Sequence, residues 1–206
     1  MAFTRNGYGQ VEPNQLSAQK TGQIYASLPL DDDVDVLQNG EFMFYDYQSG
    51  KVSADDSIGV AEPMLVFNEI KLYEPFWRTS YKDFAMIRVG DNYVTSKLAT
   101  AGYGDGAETT GIPASPAHTE YPYRMDGIAP RLFKTNVGDI YTTNMVKDGA
   151  SVTYAVGDKL VPVKNTTTNT LQLETDNTAT TGMIWVVVKV YTMPDGQPGL
   201  KIQRVH

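Results

Sequence analysis

The sequence predicts an all-β protein: a β-barrel or β-sandwich body with an extended N-terminal arm and a long Gly/Pro-rich loop. Three observations predict it. Turn signals recur along the chain at Asn39-Gly40, Gln48-Ser49-Gly50, Gly90-Asp91, Asp148-Gly149, Gly157-Asp158 and Asp195-Gly196, where glycine accepts positive φ and Asx side chains bond local backbone. The apolar runs between them are short and rich in β-branched and aromatic residues. Good helix formers never accumulate, and eleven prolines with eighteen glycines interrupt the other helical candidates.

Taken in order, Met1 to about Lys20 sets a few apolar side chains (Phe3, Tyr8, Val11, Leu16) among Asn, Gln, Gly and Ser, with neither strand nor helix period, and reads as the arm. Glu41 to Tyr47 is an aromatic-rich strand. Met64 to Tyr73 fits neither period cleanly and is assigned to strand. Tyr93 to Leu98 and Ser151 to Ala155 are strand-like in composition. Met183 to Met193 is the strongest strand, with Ile184, Val186, Val188 and Val190 on one face and Met183, Trp185, Val187 and Tyr191 on the other, a pattern that predicts burial on both sides. From Ala99 to Pro130 four glycines are followed by Pro113, Pro116, Pro122 and Pro130, interleaved with Tyr121 and Tyr123. A loop of that length is functional or marks a boundary. The expected organisation is therefore an arm over 1–20, a β-rich domain over 21–130 ending in that loop, and a small barrel-like domain over 131–206; a single large all-β domain is the alternative.

Composition removes several functions. The 206 residues include no cysteine, which excludes disulfides, thiolate metal sites and thiol nucleophiles. A formal charge of -7 without a basic run repels a phosphate backbone, so nucleic acid is not the expected partner. The first residues lack the apolar core of a signal peptide and no stretch reaches the roughly 20 apolar residues that span a bilayer, so synthesis in the cytoplasm and no membrane partner are expected.

Catalytic constellations are scarce. Only His118 and His206 could serve as a histidine base or ligand; the first lies in the Pro-rich loop and the second is the last residue given, and no Gly-x-Ser-x-Gly elbow occurs. Asp31-Asp32-Asp33-Val34-Asp35 invites a calcium reading, but in the EF-hand register the turn glycine would be Val36 and the closing glutamate Phe42. A solvated acidic turn accounts for it better; a looser cation site or an acidic patch facing a basic partner is the alternative. Gly102-Tyr103-Gly104-Asp105-Gly106-Ala107 satisfies a dinucleotide fingerprint formally, yet Glu108-Thr109-Thr110-Gly111-Ile112-Pro113 follows where a helix must begin. Trp77, Tyr81, Tyr121 and Tyr123 would suit a sugar-stacking platform, a core or a protein interface. No catalytic, metal or cofactor-binding residue is assigned. Val-Gly-Asp recurs at 89–91, 137–139 and 156–158, each time ahead of a strand-like segment and without a fixed period, as a turn into a strand.

The stretch Ser17-Ala18-Gln19-Lys20-Thr21-Gly22-Gln23-Ile24-Tyr25-Ala26, followed by Val36-Leu37-Gln38-Asn39-Gly40-Glu41-Phe42 and Tyr45-Asp46-Tyr47, resembles the opening of tailed-bacteriophage head structural proteins. Tyr154-Ala155-Val156-Gly157-Asp158-Lys159-Leu160, ahead of a Thr/Asn-rich loop and a final strong strand, is similar to small β-barrel capsid decoration (cement) modules. The resemblance implies a non-enzymatic virion protein on the capsid exterior. It would bind major capsid protein and sister copies, with no cofactor, and use its body to cover seams and its arm to reach a neighbour. The alternatives are a host-receptor or carbohydrate-binding module, a tail or connector component, and a glycan hydrolase with two carboxylates that no motif singles out.

Overall fold

The computed structural model describes residues 3–5, 9–31, 33–34, 36–57, 59, 61–67, 70–71, 83–84, 86–88, 129–193 and 196–206. Strand dominates these residues, as expected for the all-β class. In chain order the elements are β1 (Val11–Gln15), α1 (Ser17–Thr21), β2 (Ile24–Tyr25), β3 (Val36–Gln38), β4 (Phe42–Asp46), β5 (Lys51–Ser53), β6 (Met64–Val66), β7 (Ile70–Lys71), β8 (Asp83–Phe84), β9 (Met86–Arg88), β10 (Leu132–Phe133), β11 (Ile140–Thr143), β12 (Lys159–Asn165), β13 (Thr170–Thr175), β14 (Trp185–Thr192) and β15 (Pro198–Arg204).

Eleven of the strands form one curled antiparallel sheet in the order β1-β11-β15-β14-β12-β13-β4-β6-β10-β2, with β5 paired to β4. The two small pairs β3-β9 and β7-β8 complete the described strands. Because β10 and β11 are consecutive along the chain, as are β1 and β2, both ends of the row return to the same two stretches of backbone. The junction between those stretches is a polar knot. Asp139 accepts hydrogen bonds from the Ser17 backbone N–H (3.0 Å) and hydroxyl (2.9 Å), and Asn136 donates through Nδ2 to Ser17 Oγ at 2.7 Å. Asp139 thus supplies to α1 the N-terminal capping that Leu16, the residue at the cap position, does not.

Two stretches that the sequence reading set apart contribute to the sheet. The stretch read as an arm without period supplies an edge strand, β1, which pairs with β11, and the helical turn α1, whose Ala18 lies in the core with Leu16 just before it. Tertiary pairing, which no local period reports, orders it. The division near residue 131 separates no sheets: β10 pairs with β6 and β2, and β13 pairs with β4, so strands from both sides share one sheet and one core. The loop expected over 99–130 lies outside the described residues, apart from Ala129 and Pro130.

The main core fills the curl with Phe42, Leu65, Phe133, Tyr141, Leu160, Trp185, Val187 and Ile202 among others. A second core lies on the other face of one half of the sheet. Adjacent residues alternate between the two: Phe42, Leu65 and Phe133 point to the first, while Met43, Val66 and Leu132 point to the second, where Leu30, Val34, Leu37 and Val52 cover them. So β4, β6 and β10 carry apolar cores on both faces.

Met183 to Met193 had been expected to hold that place. In β14, Trp185 and Val187 are buried, but Val188 and Val190 are exposed. A slip of register after Val187 interrupts the alternation and sets Val190 opposite Leu200 of the main core, so the pattern in the sequence does not carry Val188 and Val190 onto one face.

In the main core the Tyr141 and Trp185 rings meet edge to face at 5.0 Å, yet neither the Tyr141 hydroxyl nor the Trp185 indole N–H has a hydrogen-bond partner there. Burial also pushes the Tyr141 phenol far above its ordinary pKa. An unsatisfied buried hydroxyl costs stability, so Tyr141→Phe is expected to leave stability unchanged or raise it by about 1 kcal/mol in urea titration. A clear loss would show that the hydroxyl is bonded in solution.

Candidate binding surface

The Val-Gly-Asp turns build the surface. In each described copy glycine sits in the left-handed region, Gly138 at φ 98° and Gly157 at φ 96°. The aspartate N–H donates to the carbonyl three residues back, Asn136 or Ala155, and its carboxylate accepts that residue's N–H at 2.9 or 2.7 Å. The glycine then donates to a strand carbonyl, Gly138 to Arg204 and Gly157 to Val187, and the N–H groups of Arg204 and Val187 donate back to Asp139 and Asp158. The turn into a strand read from sequence holds for both; the third copy, 89–91, lies outside the described residues.

Register gives the two turns a relation that sequence period did not. Ile140, Gln203, Val186 and Lys159 form one cross-strand row over β11, β15, β14 and β12. The Val186–Gln203 pair is the centre of a local two-fold. One residue forward from each lie Val187 and Arg204, which receive the turns; two residues forward lie Val188 and Val205, 43% and 45% exposed. The turn valines Val137 and Val156 are both 67% exposed. The two turns, with Val137 and Val156, therefore stand in matching places across four strands, roughly 15 Å of sheet, whereas Val188 is the extra residue of a bulge and Val205 follows β15. A slip of register after Val187 brings Lys189 opposite Lys201, two like charges facing each other across the strands. The nearest carboxylate in register on that row is Glu12, beyond Thr142.

The opposite half of the sheet ends in an acidic, aromatic tip. Leu30 bridges Val52, which brings Asp31 and Asp33 beside the β4-β5 hairpin and the aspartates that follow it. Asp31 pairs with Lys51 at 3.4 Å and Asp55 with Lys164 at 2.6 Å; Asp46 accepts from Ser57 Oγ at 2.5 Å. Tyr47, 74% exposed, stands at the hairpin turn with its ring edge on Tyr45. This is the acidic turn of the sequence reading. Asp32 and Asp35 lie outside the described residues, and among those described no group of three or more His, Asp or Glu side chains could hold a metal ion.

Of the histidines, His206 bonds the Gly182 carbonyl through Nδ1 at 2.6 Å, and His118 lies outside the described residues, as do Trp77, Tyr81, Tyr121, Tyr123 and the glycine cluster 102–107. A cleft of about 480 Å³ opens beside the core, lined by Phe3, Tyr154, Val190, Tyr191 and Pro198 among others. Phe3 is held there by backbone bonds to Val152 and Gly149 and by an edge-on contact with Tyr154 at 5.1 Å.

One titratable group escaped the sequence reading. Glu41 is 1% exposed, with Oε2 accepting the Gln38 N–H at 2.7 Å and Oε1 the Thr170 hydroxyl at 2.8 Å. Burial pushes its pKa up to about 7 against those two bonds and the attraction of Arg5. Nothing in Asn39-Gly40-Glu41 distinguishes it from an exposed turn glutamate; only the pairing of β13 with β4 brings Thr170 over it. The surface valines were likewise invisible singly, although the Val-Gly-Asp recurrence and Lys189 within an apolar strand are traces of them.

No family model, curated protein or solved structure matches the chain.

Proposed function

We propose that this chain is a non-enzymatic virion structural protein that binds the outside of a phage capsid and bridges neighbouring major capsid protein subunits. The observation that carries the binding half of this reading is the β11-β15-β14-β12 part of the sheet with its two turns, where Val137, Val156, Val188 and Val205 stay exposed while the other half of the sheet carries a second core. Exposed aliphatic side chains suit a protein interface. The sequence resemblance of the 17–47 and 154–160 stretches supports the capsid as the setting.

Co-sedimentation with preassembled tailed-phage capsids tests it. Saturable binding at a fixed ratio to the shell is expected, and Val156→Asp with Val188→Asp is expected to weaken it about tenfold or more. A protein that stays in the supernatant at every ratio overturns the capsid assignment.

A second reading, a carbohydrate-binding module, is favoured by the Phe3, Tyr154 and Tyr191 cleft, since aromatic walls suit sugar rings. A glycan panel separates the two: saccharide affinity lost in Tyr191→Ala would move the assignment.

A further inference from the structure

We infer that the outer β14-β15 face docks the acidic β4-β5 tip of a second copy of this chain, in a head-to-tail contact. The two surfaces complement each other in charge and in apolar character. The face offers Val188 next to Lys189, which opposes Lys201 with no carboxylate on either of the two strands; Lys189 also lies over the Tyr191 ring at 5.7 Å, a contact that leaves its charge unneutralised. Opposed like charges are unfavourable, and an incoming carboxylate relieves both at once. The tip offers the exposed Asp33 and Asp55, with Asp31 and Asp56 beside them, against Lys51, which pairs with Asp31, and Lys164, which pairs with Asp55. It also carries Tyr47, a ring suited to pack on exposed valines.

Within one chain the two surfaces belong to different parts of the sheet. β4, with β5 at its side, is separated from β14 by β12 and β13, and the tip lies at the hairpin end with the layer that covers the second core. A face-to-face contact between two copies would set lysines against lysines. Charge therefore selects the head-to-tail arrangement, which grows into a ring or a chain rather than stopping at an isologous pair. This contact needs only the protein itself, but it claims the face on which the capsid reading rests, so the two compete for one surface.

Sedimentation velocity and light scattering of the full chain over a concentration series test it. The mass is expected to rise with concentration at low salt and to fall back as ionic strength screens the contact. Lys189→Glu with Lys201→Glu is expected to raise the self-dissociation constant on the order of a hundredfold, and Asp33→Lys with Asp55→Lys to do the same. Mixing the two double variants restores association, because each then meets a surface of opposite sign. A wild-type protein that stays monomeric throughout overturns the inference, and so does association that neither reversal weakens. If the lysine reversal abolishes capsid binding while leaving self-association intact, the face belongs to the capsid and not to a sister copy.

Discussion

Raising the pH from about 4.5 to about 7 is expected to remove about 3 kcal/mol of folding stability through Glu41 alone. In the unfolded chain this carboxyl titrates near its ordinary value of 4.5; in the fold, burial raises it to about 7. Between those values the native state holds the proton that the unfolded state has lost. The sign follows: the contribution is complete below the unfolded pKa, declines through the window and is spent above the folded one.

Other carboxylates move the curve as well, so the comparison that isolates Glu41 is the wild type against Glu41→Gln. The amide keeps an oxygen for the Gln38 N–H and a donor for the Thr170 hydroxyl, and it carries no charge to desolvate. Denaturant titrations across the window are expected to show the variant more stable above pH 7, with the difference closing toward pH 4.5. Parallel curves for the two proteins would mean that Glu41 ionises in the fold as it does in water.

Replacing Arg204 is expected to cost about 3 kcal/mol. Its guanidinium donates through Nη1 to the Thr135 carbonyl at 2.5 Å and to the Thr135 hydroxyl at 3.1 Å, and through Nε to the His206 carbonyl at 2.9 Å; Nη2 pairs with Glu62. Arg204 and Thr135 are both buried, so Arg204→Met leaves Thr135 acceptors without a donor or water. Arg204→Lys is not expected to rescue, because one ammonium cannot reach in the directions that the planar fork spans. Glu62→Gln makes the contrast: its side chain is half exposed, and loss of that pair is expected to cost under about 1 kcal/mol. Equal losses in the two variants would place the energy in the ion pair rather than in the bonds to Thr135.

Some of the fold was legible because it is local. Glycines at Gly138 and Gly157 with aspartate next in sequence specify a turn through φ and a side-chain bond three residues back, and the structure forms both turns. The Asn/Thr run after Lys164 closes the β12-β13 hairpin, with Asn169 accepting φ 52°. The strand at 183–193 was found, yet its exposure was not. Alternation tells which side chains share a face, but it cannot tell whether another layer will cover that face, and Val188 is no less apolar than the covered Met43.

The sequence by itself therefore determined the all-β class, the turn positions and the absence of any cysteine chemistry, since each depends on residue type or on neighbours a few positions apart. Only the tertiary structure decided that β1 belongs to the sheet, that Glu41 is buried beneath Thr170, and that the two Val-Gly-Asp turns stand in matching places about the Val186–Gln203 pair. These depend on which strands meet across more than a hundred residues or on the register in which they pair. Both are settled by the burial of the whole sheet rather than by a local preference.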